Sequence, residues 1–289
     1  MAVFTTLSAE DLGLSVAFSK AISIAAAAGF EAVDLHMAEL LSAPNVPSAG
    51  SIEAQLEEAR LRGGGWWLPV EFREGKDRYV ADLEQLHRAG PLAAALGSPW
   101  CLTWIWPFSD ELDYKSNWAL HVERLGRVAR DLGEYGCKLG FEFIGSRTMR
   151  LGHKYDFVST LPEALDLMDH IKMDNVGLLL DSYQWYTSGG DAEQLAALVE
   201  GSVIYVHLND APANREIANQ VDNERRLPGS TGVIDIDRFL ATLKRIGFDG
   251  PVAVEPYDPD VNKLEPMDRA SAARKSLDAV LVKAGLSHT

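Results

Sequence analysis

Short, uninterrupted apolar runs recur along the chain, at residues 2–6, 32–35, 66–70, 100–106, 139–144, 176–180, 203–208 and 252–255. Their length and their lack of polar–apolar alternation predict eight strands buried on both faces. Helix signals fill the gaps. Thr160-Leu-Pro-Glu163 forms a capping box ahead of a helix over 161–168, its hydroxyl accepting from a free amide while Glu163 reaches back. Asp191 offers a cap to a helix over 195–199. Gly29, Gly136 and Gly247 stand where helices end and the chain turns into the next strand.

Eight strand-helix units in 289 residues, about 36 residues each, predict an α/β fold of one kind, a (β/α)8 TIM barrel with residues 1–289 as a single domain. A doubly wound open sheet would carry a glycine-rich phosphate loop after its first strand, and none follows residues 2–6. With 47% hydrophobic and 24% charged residues, the chain has the make-up of a folded globular protein. Its 27 Lys and Arg against 42 Asp and Glu leave a net charge of −15, which argues against nucleic acid or an anionic membrane as partner. Cys101 and Cys137 lack CxxC spacing and read as buried free thiols. The first residues lack a basic leader, and the apolar run at 21–30 is too short to span a bilayer, so the expected location is cytoplasmic.

In such a barrel the reactive groups stand at the carboxyl ends of the strands. Glu142 lies in the fifth apolar run, Asp181 ends the sixth, His207 stands near the end of the seventh and Glu255 ends the eighth. One carboxylate at a strand end is more often a helix cap or the partner of an arginine, and a lone buried histidine is more often a hydrogen-bonded core residue. Three carboxylates and an imidazole on four consecutive strands differ, because buried like charges repel and cannot compensate one another. A divalent cation resolves that conflict. Three oxygens and one nitrogen favour a fairly hard ion, Mn2+ first, with Mg2+ or Co2+ as alternatives.

The phrases Gly140-Phe-Glu-Phe-Ile-Gly145, Gly177-Leu-Leu-Leu-Asp-Ser-Tyr183, Tyr205-Val-His-Leu-Asn-Asp210, Leu227-Pro-Gly-Ser-Thr-Gly-Val-Ile-Asp235 and Gly250-Pro-Val-Ala-Val-Glu-Pro256 resemble the sugar isomerase/epimerase superfamily of xylose isomerase-like TIM barrels. The likeness is clearest over residues 137–257. It implies one divalent metal on Glu142, Asp181, His207 and Glu255, with the two glutamates also acting on substrate protons. Members include ketose 3-epimerases, inosose dehydratases and the catalytic subunits of C-glycoside deglycosidases. Their shared step removes a proton from the carbon beside a carbonyl, and the face or atom that is reprotonated, or the group expelled, selects epimer, isomer or elimination product.

Further residues are expected at the mouth. The connection over 209–234 is longer than the usual βα loop and predicts a lid, from which Arg225 or Arg226 would clamp a substrate oxygen. His36 and Glu71, following the second and third strands, are expected to bind hydroxyls, and His153 to shuttle protons. Trp104 and Trp106 offer faces for sugar C–H surfaces or an aglycone. Where relatives often carry a histidine three residues after the metal-binding aspartate, this chain has Gln184, a substrate-binding amide that cannot exchange protons. The expected protein is a metal-dependent isomerase or epimerase acting on a small sugar or glycoside, alone, as a homo-oligomer or with a partner subunit. Two alternatives stand beside it. One is a lyase on 3-oxo-glycosides that works with a partner subunit, and the other is a non-catalytic sugar-binding or scaffold barrel.

Overall fold

A nine-stranded parallel sheet organises the computed structural model, which describes residues 3–42 and 48–286. Its strands are β1 (Phe4–Leu7), β2 (Ala32–Val33), β3 (Arg62–Gly63), β4 (Trp66–Trp67) and β5 (Trp100–Ile105), followed after a short β6 (Phe108–Ser109) by β7 (Lys138–Phe143). After β8 (Tyr155–Asp156) come β9 (Val176–Asp181), β10 (Val203–His207) and β11 (Pro251–Ala253). The order is β3-β2-β1-β11-β10-β9-β7-β5-β4, while β6 and β8 pair with each other, antiparallel, at the mouth. The two ends of the sheet, β3 and β4, are consecutive pieces of one segment joined by Gly64 and Gly65, so the sheet closes. Gly64 N donates to Val33 O (2.8 Å) and Leu68 N to Leu102 O (2.8 Å), which carries the pairing across the join.

Counted as staves, these strands make the predicted eight-fold barrel. The third stave occupies residues 62–67, earlier than the predicted 66–70. Two glycines interrupt its apolar signal, and Gly64 is needed there because a Cβ would overlap the Asp34 carboxylate and the Thr6 hydroxyl. The capping box forms as predicted, with Glu163 Oε2 accepting from Thr160 N (3.1 Å), and its helix continues to Ile171. Asp191 caps Ala192–Ala196, a helix that starts at once behind its cap and so lies earlier than predicted. Gly29 ends the first helix, Phe18–Ala28, with φ at 83°.

Alternation along the staves sets the depth of the functional layer. A plug of Leu102, Leu179, Ile204, Tyr205 and Ala253 fills the barrel axis. Two residues beyond Leu179, Tyr205 and Ala253 come Asp181, His207 and Glu255. The period of two therefore lifts three polar side chains onto the same inner face, one layer above the plug. On β7, Gly140 makes room for Ile204 and Leu102, and Glu142 follows two residues on. Among the described residues no helix is long and apolar enough to cross a membrane.

Candidate metal centre

Glu142, Asp181, His207 and Glu255 each present a ligand atom within 4.8 Å of the others, and all four are buried. His207 Nδ1 lies 3.3 Å from Glu255 Oε2 and 3.8 Å from Glu142 Oε1. Its Nε2 lies 3.4 Å from Asp11 Oδ2. None of these approaches is aligned as a hydrogen bond, so both imidazole nitrogens, Glu142 Oε1 and Asp11 Oδ2 are buried without a partner. Such orphans are costly unless something binds them.

Three side chains hold Asp181 and Glu255 in place. Asn209 Nδ2 donates to Asp181 Oδ2 (2.9 Å), while its Oδ1 accepts from Glu255 N (2.9 Å), tying β9 to the exit of β11. Arg225, buried from the long connection, donates through Nη1 to Asp181 Oδ2 (2.7 Å) and to Glu255 Oε2. Tyr257, held at φ 42°, donates its hydroxyl to Glu255 Oε1 (2.9 Å). Burial raises the Glu142 carboxyl far above the usual range, to about 8, and the neighbouring Glu255 and Asp181 add to that. Burial acts on Glu255 in the same direction, but the Arg225 guanidinium and the His207 contact outweigh it and hold this carboxyl low. The two glutamates are thus pushed apart in acidity.

The donor set fits a divalent cation. Arg225 brings one positive charge to Asp181 and Glu255 and shares it with Asp222, so the carboxylates gathered here outnumber the guanidinium they surround. The unpartnered oxygen of Glu142 and the ring nitrogens of His207 are also atoms that such an ion coordinates.

A cavity of about 480 Å³ opens over the cluster, with Glu142, Arg225 and Glu255 on one side and Trp67, Trp104 and Trp106 on another. Trp104 is the register partner of Glu142, and its ring meets Trp67 edge-on at 5.5 Å and Trp106 at 6.0 Å. Arg73 steadies this wall, its guanidinium 5.0 Å over Trp104 and bonded to the Trp104 carbonyl (2.8 Å).

The structure does not gather every expected residue here. Glu71 is engaged by Arg73 (2.7 Å) and faces other depressions. His36 sits against Phe18, with Nδ1 3.4 Å from Glu39, in a separate depression. His153 stacks on Phe108 and pairs with Asp110 (2.9 Å) beside the β6–β8 ribbon. Arg226 turns to its own backbone neighbours and to Asp258 (3.7 Å). Gln184 is fully enclosed behind the cavity wall. The long connection is closed at its base, where Asp210 and Arg226 exchange backbone bonds of 2.7 and 2.8 Å and the Asp210 carboxylate accepts from the amides of residues 231–234. Asp11, Asn209, Asp222 and Tyr257 were not anticipated. Their one sequence signal is position, since each lies within a few residues of a strand's carboxyl end or in the loop over it.

A family model described as a xylose isomerase-like TIM barrel matches residues 22–281. The chain is 33% identical over 154 residues to the inosose isomerase of Bacillus subtilis (strain 168), a match covering 53% of this chain and 52% of that relative. The chain thus spans about half the length of the curated relatives it matches first. A xylose isomerase domain protein from Alicyclobacillus acidocaldarius superposes with a TM-score of 0.88 at 27% identity, covering 98% of this chain and 100% of that one. The IOLI protein, described with a binding zinc atom, superposes with a TM-score of 0.82 at 20% identity over 98% and 99% of the two chains.

Proposed function

The chain belongs to the xylose isomerase-like TIM barrel family, and from that premise we propose that it is a metal-dependent carbohydrate enzyme that moves a proton next to a sugar carbonyl, as an isomerase or epimerase. One observation carries this reading. Four metal-competent side chains converge at the carboxyl ends of consecutive staves, and among their atoms Glu142 Oε1 and both ring nitrogens of His207 are buried without a partner. Glu142, Asp181, His207 and Glu255 would hold the ion, for which Mn2+ is our first candidate. Bound there, a divalent ion would supply electrophilic stabilisation of charge on the substrate oxygens. Glu142 and Glu255 both line the cavity, and in this reading one withdraws the proton while the other returns one. Arg225, fixed between Asp181, Glu255 and Asp222, lines the cavity and holds positive charge beside the substrate, and the tryptophan wall gives the C–H face of a sugar a dry surface.

The aromatic wall favours one second reading. Trp67, Trp104 and Trp106 form a surface larger than one sugar ring needs, which suits β-elimination of an aglycone from a 3-oxo-glycoside, with a partner subunit. The buried free thiols of Cys101 and Cys137 accord with a cytoplasmic setting. The test is incubation of the Mn2+-loaded protein in D2O with a panel of free ketoses and of 3-oxo-glycosides. Deuterium entering a ketose supports the first reading, and release of aglycone supports the second. A protein that takes up no divalent ion and shows no thermal shift with Mn2+ is a scaffold, and both readings fall.

A further inference from the structure

We propose that Gln184 is a positioning residue that holds Arg225 in the metal centre through Asp222. The chain of contacts is continuous. Gly145 N, at the exit of β7, donates to Gln184 Oε1 (2.9 Å), and Gln184 Nε2 donates to Asp222 Oδ1 (2.7 Å). The same Asp222 oxygen accepts from Arg225 Nη2 (3.1 Å), and the Asp222 carbonyl accepts from Arg225 Nε (2.8 Å). The remaining face of the guanidinium reaches Asp181 and Glu255.

An amide suits this place because it must accept on one side and donate on the other. Flipped, it would aim its NH2 at the Gly145 N–H and its oxygen at the Asp222 carboxylate, both repulsive, so the orientation is fixed. Gln184 is fully buried and does not line the cavity. Its own placement is rigid. The helix Ser182–Thr187 starts directly behind the ligand Asp181 and packs onto Gly145, where a Cβ would come within 2.8 Å of Ser188 N and 2.9 Å of Thr187 Oγ1. Asp222 lies on the long connection, and Tyr183 of the same helix binds that connection too, donating its hydroxyl to Val221 O (2.7 Å). One short helix thus carries a metal-ligand stave at its start and, one turn later, the tether that brings Arg225 back to that ligand.

The kinetic part of this inference rests on the carbohydrate-enzyme reading, and the tether itself does not. The test uses the full chain in three forms, Gln184→Glu, Asp222→Asn and the two combined. Gln184→Glu keeps the acceptor for Gly145 N–H but faces Asp222 with a second carboxylate. The combined form restores the contact between residues 184 and 222 with the polarity reversed, but it sets the new amide NH2 at residue 222 against Arg225 Nη2, because one Asp222 oxygen accepts from both neighbours. Hydrogen exchange of residues 219–226 is expected to speed up about tenfold or more in Gln184→Glu, without a matching change in the barrel strands, and to slow again in the combined form. For whichever sugar is turned over, KM is expected to rise about tenfold in Gln184→Glu with kcat changed less than about threefold, and to stay raised in the combined form, where residue 222 no longer accepts from Arg225 Nη2. Unchanged exchange at 219–226, exchange that rises equally across the barrel, or exchange at 219–226 no slower in the combined form than in Gln184→Glu overturns the tether. Failure to bind metal or turn over sugar defeats the functional reading alone, because the exchange measurement needs neither.

Discussion

Two buried carboxylates on opposite sides of the barrel show what separates a structural acid from a functional one. Asp34, at the exit of β2, accepts from the Thr6 hydroxyl (2.7 Å) and from Gly65 N (2.7 Å) on one oxygen, and from the Tyr205 hydroxyl (2.6 Å) on the other. Its donors are all neutral and both of its oxygens are occupied. Glu142, across the axis, is equally buried, yet one of its oxygens has no partner and faces an imidazole with both nitrogens free. Burial raises the carboxyl of each. The pKa direction therefore does not distinguish them, whereas the count of filled lone pairs does. His121 refines the rule. Its Nε2 is also unpartnered, but the ring lies against Phe72 and Phe157, and the charges that act on it are the guanidinium groups of Arg73 and Arg124. An orphan marks a site only where several converge.

The largest effect that would separate the two sides is on turnover. Glu142→Gln is expected to cut it at least about a thousandfold, or about 4 kcal/mol, with the fold intact by circular dichroism. Asp34→Ala should do the reverse. It strands the Thr6, Tyr205 and Gly65 donors and should lower unfolding free energy by about 3–4 kcal/mol in urea titration, leaving turnover per folded molecule within about threefold.

Acid sharpens the contrast through His121, whose imidazole burial holds down to about 4 from an ordinary 6.5. The folded state keeps this ring neutral while the unfolded chain protonates it below 6.5, so the unfolded state binds more protons in that window. Stability is fully present above pH 6.5 and falls by up to about 3 kcal/mol as the pH drops towards 4. His121→Gln should show that much less acid loss in urea unfolding at pH 7, 5.5 and 4, and an identical slope in both proteins would contradict the burial argument. The smallest effect is expected at Asp11, which faces His207 Nε2. Asp11→Asn should weaken metal affinity about 10–100-fold, near 2 kcal/mol, in a calorimetric Mn2+ titration, with unfolding in chelator little changed.

How much of this was legible follows from the same physics. The staves announce themselves as apolar runs because each is buried on both faces, and the period of two then aligns Asp181, His207 and Glu255 above the plug. The third stave was displaced in the reading because Gly64 and Gly65 carry no side chain to register. His36 follows a two-residue strand, and the chain turns into the helix Met37–Ser42 before alternation can aim the ring inward. His153 is positioned by β6 and β8, two-residue strands too short to leave a period. Gln184 could be picked out by its distance from Asp181, but its partner Asp222 lies 38 residues away, a pairing that local pattern does not encode. Arg225 reaches the centre because a backbone bridge between Asp210 and Arg226 folds the long connection back, and only the fold supplies that bridge.

The most direct test is metal stoichiometry by elemental analysis and calorimetry on the wild type, Asp181→Asn and Asp34→Asn. The account predicts one Mn2+ per chain in the wild type and in Asp34→Asn, and loss of binding in Asp181→Asn. A wild type that takes up no ion, or an Asp181→Asn protein that still binds one with wild-type affinity, would contradict it.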